Sequence, residues 1–429
     1  MKRRMYVLGL VFALLSMQQA QAFVPVNFFR PYDYALRLPY IKNRTFSCGV
    51  SNLEYGARCT GLNYDDHRRN VLALHNDTES AISMTRNPTL PVGLAMGAPL
   101  KGLYDTFDDV DNQGHQQLRG KFSGLDFVLF ASYVAPLKPE DGTLAFTMHL
   151  PIVWREIMAK NPLVTDLTQV GVLTPMGANI KTYLTDDLIA NVKEFGGLTI
   201  APWSKSGIGD LDLIMEWSNR FKQEKEYLKM VMLYAKLGIT FPTARERDLD
   251  QAFSMPLGND GAWGIPLGMA LELGFVHNVR VGVDVDFLIL FDTNKEYRMK
   301  TDKNQTDFLL LNKGLATKEY GFTWQFHLFL QGLRVWQGLS VKGAYQFVKH
   351  DDDRLIPHNN VFDYSIVNTS NSLKEWTMHN LIFMANYDFF RDCKDCAVNS
   401  QLSFFYKLPV DGKNIIDNHS VGGQFSLLF

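Results

Sequence analysis

From Trp263 onward, apolar side chains recur at every second residue, and those between them are small or polar. Trp263, Ile265, Leu267, Met269, Leu271, Leu273 and Phe275 form one series, interleaved with Gly264, Gly268, Ala270, Glu272 and Gly274. Val281, Val283, Val285, Phe287, Ile289 and Phe291 form the next, opposite Arg280, Gly282, Asp284 and Asp286. Successive side chains of a strand leave by opposite faces, whereas a helix groups residues three or four apart, so this period specifies strands. His277 and Asn278 link the two series as a hairpin. A third series runs Tyr320, Phe322, Trp324, Phe326, Leu328 and Leu330 against Gly321, Thr323, Gln325, His327 and Gln331. A fourth sets Leu381, Phe383, Ala385, Tyr387 and Phe389 against Asn380, Asn386 and Asp388, and a last one from Val421 ends on the aromatic Phe429.

A water-soluble sandwich also alternates, so strand length has to decide. Membrane strands need about 9–11 residues, against about 5 or 6 for the commonest soluble strand. Most series here run ten or longer. Trp263, Phe291, Tyr320 and Phe389 sit near their ends, where interfacial girdles lie. The expected fold is all-β: a transmembrane antiparallel up-and-down β-barrel of about twelve strands, within a range of about ten to fourteen. The strands are expected to begin near residues 43, 119, 143, 208, 226, 263, 280, 318, 334, 377, 398 and 420. Short links near 136–142, 219–225, 276–279, 331–333 and 391–397 alternate with long ones near 62–118, 155–207, 243–262, 293–317 and 349–375. Unequal sides of this kind fit periplasmic turns and extracellular loops, with both termini periplasmic. The alternation slips near Asn52, and 62–118 and 155–207 are long enough to fold over or into the mouth, with short helices expected within 167–195.

The chain opens with Lys2, Arg3 and Arg4, an apolar run over 6–15 and the triplet Ala20-Gln21-Ala22. This order is that of a secretory signal peptide, so 1–22 is expected to be cleaved and 23–429 to form a single outer-membrane barrel domain. No later stretch holds 18 consecutive apolar residues, which leaves a barrel as the route across a bilayer. With 43 basic and 45 acidic side chains the chain lacks the basic field that a nucleic-acid partner requires. The expected partners are outer-membrane lipid and lipopolysaccharide, a small-molecule solute, and the barrel-assembly machinery through the C-terminal strand ending in Phe429. The four cysteines of an exported chain are expected to form two disulfides, Cys48 with Cys59 and Cys393 with Cys396. Cys393 and Cys396 have redox spacing, but no thioredoxin-like strand-helix-strand pattern surrounds them, which favours a stapled turn.

Two segments carry a family resemblance: SKSGIGDLDL at 204–213 and KLGITFPT at 236–243. They resemble the G-x-G-D-L strand entry and the strand end of outer-membrane barrels related to the long-chain fatty-acid transporter and the phenol-degradation transporter-like proteins. The resemblance implies a barrel that passes small, hydrophobic solutes.

If the apolar faces touch lipid, the opposite faces line a lumen. Asp210, Asp212, Glu216, Glu272, Asp284, Asp286 and Asp388 then stand against Lys236, Arg280 and Lys342, with His327 on the same face. The acidic excess favours cations; the competing reading is that these groups neutralise one another and hold the barrel's shape. Other motifs are weak. Residues 109–114 start like a calcium loop, yet Gly120 stands where the bidentate Glu belongs. Asp351, Asp352 and Asp353 form a carboxylate run that reads first as a solvated loop. His419 and Ser420 are adjacent on a strand and point to opposite faces, which defeats a base-nucleophile pairing. No cofactor, metal site or catalytic residue is expected. The leading reading is an outer-membrane channel or transporter for small molecules; the alternatives are a non-conducting envelope protein of structure, adhesion or recognition, and an outer-membrane hydrolase.

Overall fold

The computed structural model describes residues 44–51, 58–59, 73–74, 116–136, 142–166, 188–252, 254–301, 310–389, 399–413, 416–417 and 419–428. The strands are β1 (Arg44–Ser51), β2 (Arg58–Cys59), β3 (Ala73–Leu74), β4 (Gln116–Pro136), β5 (Thr143–Asp166), β6 (Trp203–Ile208) and β7 (Leu211–Lys222). There follow β8 (Leu228–Phe241), β9 (Gly264–Phe275), β10 (Val279–Leu290), β11 (Thr293–Arg298), β12 (Lys313–Glu319) and β13 (Thr323–Trp336). The chain ends with β14 (Leu339–His350), β15 (Arg354–Pro357), β16 (Trp376–Asp388), β17 (Asn399–Lys413), β18 (Ile416–Asp417) and β19 (Ser420–Leu428).

Strands β1, β4, β5, β7, β8, β9, β10, β13, β14, β16, β17 and β19 form a ring in which each pairs antiparallel with the next. β19 returns to β1, Cys48 opposite Phe425, and closes it. This is the up-and-down barrel expected from the alternation. Closure gives every strand two neighbours, so no row of backbone N–H and C=O groups is left facing lipid. Among the described residues no helix is long and apolar enough to cross a membrane.

The two faces of the ring invert the rule for water-soluble proteins. Met269, Leu328, Leu330, Phe383 and Phe404 are half or more exposed on the outer wall, while Glu272, Asp284, His327 and Gln401 are buried on the inner one. Lipid accepts the first set, and the second avoids it by turning inward.

Where structure and alternation differ, the backbone explains it. β13 runs through the link expected at 331–333 and turns instead at Gln337 and Gly338, both with positive φ (26° and 92°). Such a pair suits the twist of a two-residue hairpin. Arg334 also has positive φ (51°), and the register shifts between Gly332 and Trp336, which hides the strand's continuation. β5 continues to Asp166, beyond the residue 155 at which a loop is expected, and β6 extends the line of β7 along it. The signal peptide expected at 1–22, Cys393, Cys396 and the 109–114 segment lie outside the described residues; Cys48 and Cys59 fall on β1 and β2, without described side chains.

The long links carry structure of their own. β11, β12 and β15 form a separate antiparallel sheet. Helix α1 (Leu188–Gly196) falls in the region expected to be helical, and α2 (Tyr364–Val367) is capped by Asp363, whose side chain accepts from the Ser365 N–H. Tyr297, Met299, Ala316, Leu355, Phe362, Val367 and Leu373 make a hydrophobic core within this cap, distinct from the apolar cluster on the inner wall.

Candidate functional site

The inner wall is a connected polar surface. On β8 and β10, Lys236 Nζ lies 2.8 Å from Asp286 Oδ1, with both side chains almost fully buried. The other Asp286 oxygen accepts from Gln325 Nε2 at 2.9 Å on β13. Asp284, two residues earlier and so on the same face, meets His327 Nδ1 at 2.7 Å. Gln346 on β14 contacts Gln325 and accepts from Asn380 Nδ2 of β16 at 2.9 Å. The chain of contacts thus crosses from β8 to β16.

Lys236 reaches Asp286 across β9, and Gly268 is the residue between them. A Cβ there would stand 1.9 Å from Asp286 Oδ1 and 2.8 Å from Lys236 Cε. Gly282 plays the same part for Phe329, whose ring tip would meet its Cβ at 2.2 Å. Lys342 Nζ sits 4.8 Å above the centre of that ring, within cation–π range. Towards the short-turn end, Arg280 Nη1 pairs with Glu272 Oε1 at 2.7 Å. On the side of β7, the Tyr234 hydroxyl donates to Glu216, and Thr240 donates to Asp212 at 2.5 Å. Asp388 is buried at the end of β16.

Asp210 has a different role from its neighbours in sequence. It sits in the break between β6 and β7, where its carboxylate accepts from the backbone N–H of Ala244 (3.1 Å) and Asn259 (2.5 Å). It therefore fastens the β8–β9 loop to the rim. Not foreseen from sequence are Asp126 on β4 and Arg155 on β5, joined by two hydrogen bonds of 2.5 and 3.1 Å. Asp126 lies in a stretch apolar on both sides, and Arg155 lies where a loop was expected, so neither shows a clean period.

Asp284, Asp286 and His327 bring one donor atom each within 4.8 Å of one another, the makings of a cation site. Lys236 and Gln325 already occupy both oxygens of Asp286. The geometry is that of an ion-pair network. His419 Nδ1 shares a hydrogen bond of 2.7 Å with the Tyr406 hydroxyl, while Ser420 is buried on the other face.

Above the barrel, the carboxylate run proves ordered. Asp351 pairs with Lys349 (3.0 Å), Asp352 accepts from the Glu375 N–H (2.5 Å), and Asp353 joins Lys318 (2.8 Å) and His350 (2.9 Å). Burial alone would raise the Asp353 carboxyl, but the Lys318 ammonium and His350 hold it well below the usual carboxylate range. Lys318 also lies over the Tyr320 ring at 4.5 Å. Burial pushes Tyr297 up to about 12 and Tyr320 higher still, although both phenols bond Thr293 Oγ1.

No protein family and no curated protein matches the chain by sequence. Among solved structures, an outer-membrane channel from Pseudomonas putida F1 aligns over 94% of this chain and 100% of its own, at 13% identity and a TM-score of 0.50. A Pseudomonas aeruginosa FadL homologue (10% identity, 95% of this chain, 94% of its own) and the Pseudomonas putida toluene transporter TodX (10%, 96% and 96%) both score 0.28, too low to argue from. The chain has the fold of a bacterial outer-membrane channel.

Proposed function

We propose that this barrel is a passive outer-membrane channel for small solutes, entered through the loop cap and mildly selective for cations. The observation behind the reading is the sorting of side chains: ionisable groups are buried on the inner wall from β4 to β17, while the outer wall is apolar. A barrel serving only as an anchor has no need of so many charges at the cost of desolvating them. Acidic groups outnumber basic ones there: Asp126, Asp212, Glu216, Glu272, Asp284, Asp286 and Asp388 against Arg155, Lys236, Arg280, Lys342 and Lys407. Rings of carboxylates favour cations.

The test is single-channel recording of the detergent-folded mature chain in a planar bilayer, with gel mobility of unheated against boiled samples to establish folding. Discrete conductance is expected, with a reversal potential in a salt gradient on the cation side. Asp286→Asn leaves the Lys236 ammonium uncompensated and is expected to move that potential towards anions. A heat-modifiable barrel that never conducts would sink the channel reading and favour a surface protein, for which the cap's separate hydrophobic core is the supporting observation.

A further inference from the structure

A water-filled lumen calls for polar side chains at every level, yet the inner wall carries an apolar band. Phe329 on β13, Ala344 on β14, Ile382 and Met384 on β16 and Phe405 on β17 form it, and Tyr234 and Ala270 continue it onto β8 and β9. Register makes it continuous: Phe329 stands opposite Ala344, Ala344 opposite Ile382, and Met384 opposite Phe405. Two residues further along these strands the inner face is polar again. On the cap side stand His327, Gln346, Asn380 and Lys407. On the turn side stand Gln331, Lys342, Asn386 and Ser403. The band is a dry layer between two polar ones, with Phe329 2% and Ile382 1% exposed.

Its two phenylalanines are housed alike. Each ring lies over a glycine of the next strand, Phe329 over Gly282 and Phe405 over Gly422, so closely that a Cβ on either glycine would overlap the ring tip. The rings are therefore laid along the wall, and the glycines make room for them there. Lys342 Nζ, 4.8 Å from the centre of the Phe329 ring, covers that ring from the turn side.

We propose that this band is the constriction of the channel, with Phe329 and Phe405 as the residues that set its width. A hydrated ion crosses an apolar constriction only by giving up water, so a dry band limits passage in a way that the polar layers on either side do not. The charged layers sort solutes by sign; the band limits how much of either sign passes. The inference rests on the channel reading, and its failure is separable from the failure of that reading.

The test is single-channel recording in potassium chloride of the folded mature chain and its variants in planar bilayers, each first passed through the unheated-against-boiled mobility assay. F329A/F405A should conduct about twofold or more above wild type, since two phenyl rings are a large part of the bore that a ring of this size leaves. G282A and G422A, which push the rings off the wall, should conduct less. F404A, which removes the neighbouring ring from the outer wall, should match wild type. The reversal potential should hold in all of them, because no charge changes. F329A/F405A conducting like wild type, or F404A raising conductance as much, overturns the proposal and leaves the channel standing. A silent wild type beside a conducting F329A/F405A supports the band as the barrier; silence in both overturns the constriction together with the channel. If the double variant fails the mobility assay, the glycine variants decide, since unchanged conductance in both G282A and G422A overturns the proposal as well.

Discussion

Gly268 shows how little space the inner wall leaves. Its missing side chain lets Lys236 on β8 meet Asp286 on β10 across an intervening strand, and any Cβ there would fall inside contact distance of both. Gly268→Val should therefore separate the pair and strand two charges in a buried position. Breaking a buried ion pair costs about 3–5 kcal/mol, because the remaining charge keeps its desolvation penalty. Lys236→Met should cost a similar amount, and adding Asp286→Leu should recover much of it. The midpoint of the heat-induced mobility shift in detergent checks both; equal midpoints for wild type and Lys236→Met would show the pair to be dispensable. The residue types of this network were legible from the alternation, since Lys236, Glu272, Asp284, Asp286 and His327 all fall between apolar neighbours. Their partnerships were not, because strand order and register, not sequence distance, bring Lys236 beside Asp286.

The strands themselves were legible to within a few residues where the two faces differ sharply in chemistry, as on β9, β10 and β16. The period fails where both faces carry similar residues or where the backbone leaves the strand, as at the positive φ of Arg334, so the β13–β14 turn was displaced. Of the cap only the long links that carry it were legible, since its short strands pair across those links. Asp353 ties three of these elements together: it joins Lys318 of β12 and His350 of β14, and accepts from the Gly321 N–H ahead of β13. Its folded pKa lies below its unfolded value, so the unfolded form binds the proton more readily and folding gains stability as pH rises. That contribution is complete above about pH 4, declines as pH falls below the ordinary carboxylate value, and is gone beneath the folded-state value. Limited proteolysis of the folded barrel should find the cap equally resistant at pH 7 and pH 5 and progressively more open below pH 4. Asp353→Asn should weaken it at pH 7 and flatten the dependence; a wild-type profile in that variant would remove Asp353 from the account.

For the whole molecule, composition carried little information, since 43 basic and 45 acidic side chains do not say which wall they occupy. Position within the period does, and it makes the barrel's tolerance of charge a matter of one residue. Leu271 and Glu272 are neighbours on β9, the first partly exposed on the outer wall and the second buried on the inner. An arginine at the bilayer midplane costs about 2–4 kcal/mol on a lipid-facing position and about 0–1 near the interfaces. Leu271→Arg, in the middle of its strand, should therefore destabilise the barrel by the larger amount, and Val335→Arg, beside the β13–β14 turn and also outward, by the smaller. Reversible denaturant unfolding in lipid vesicles separates the two. If both cost the same, the outer wall near Leu271 does not lie at the depth that twelve closed strands assign it; if Val335→Arg costs more, the short-turn end lies deeper in the bilayer than the loop cap's opposite placement allows.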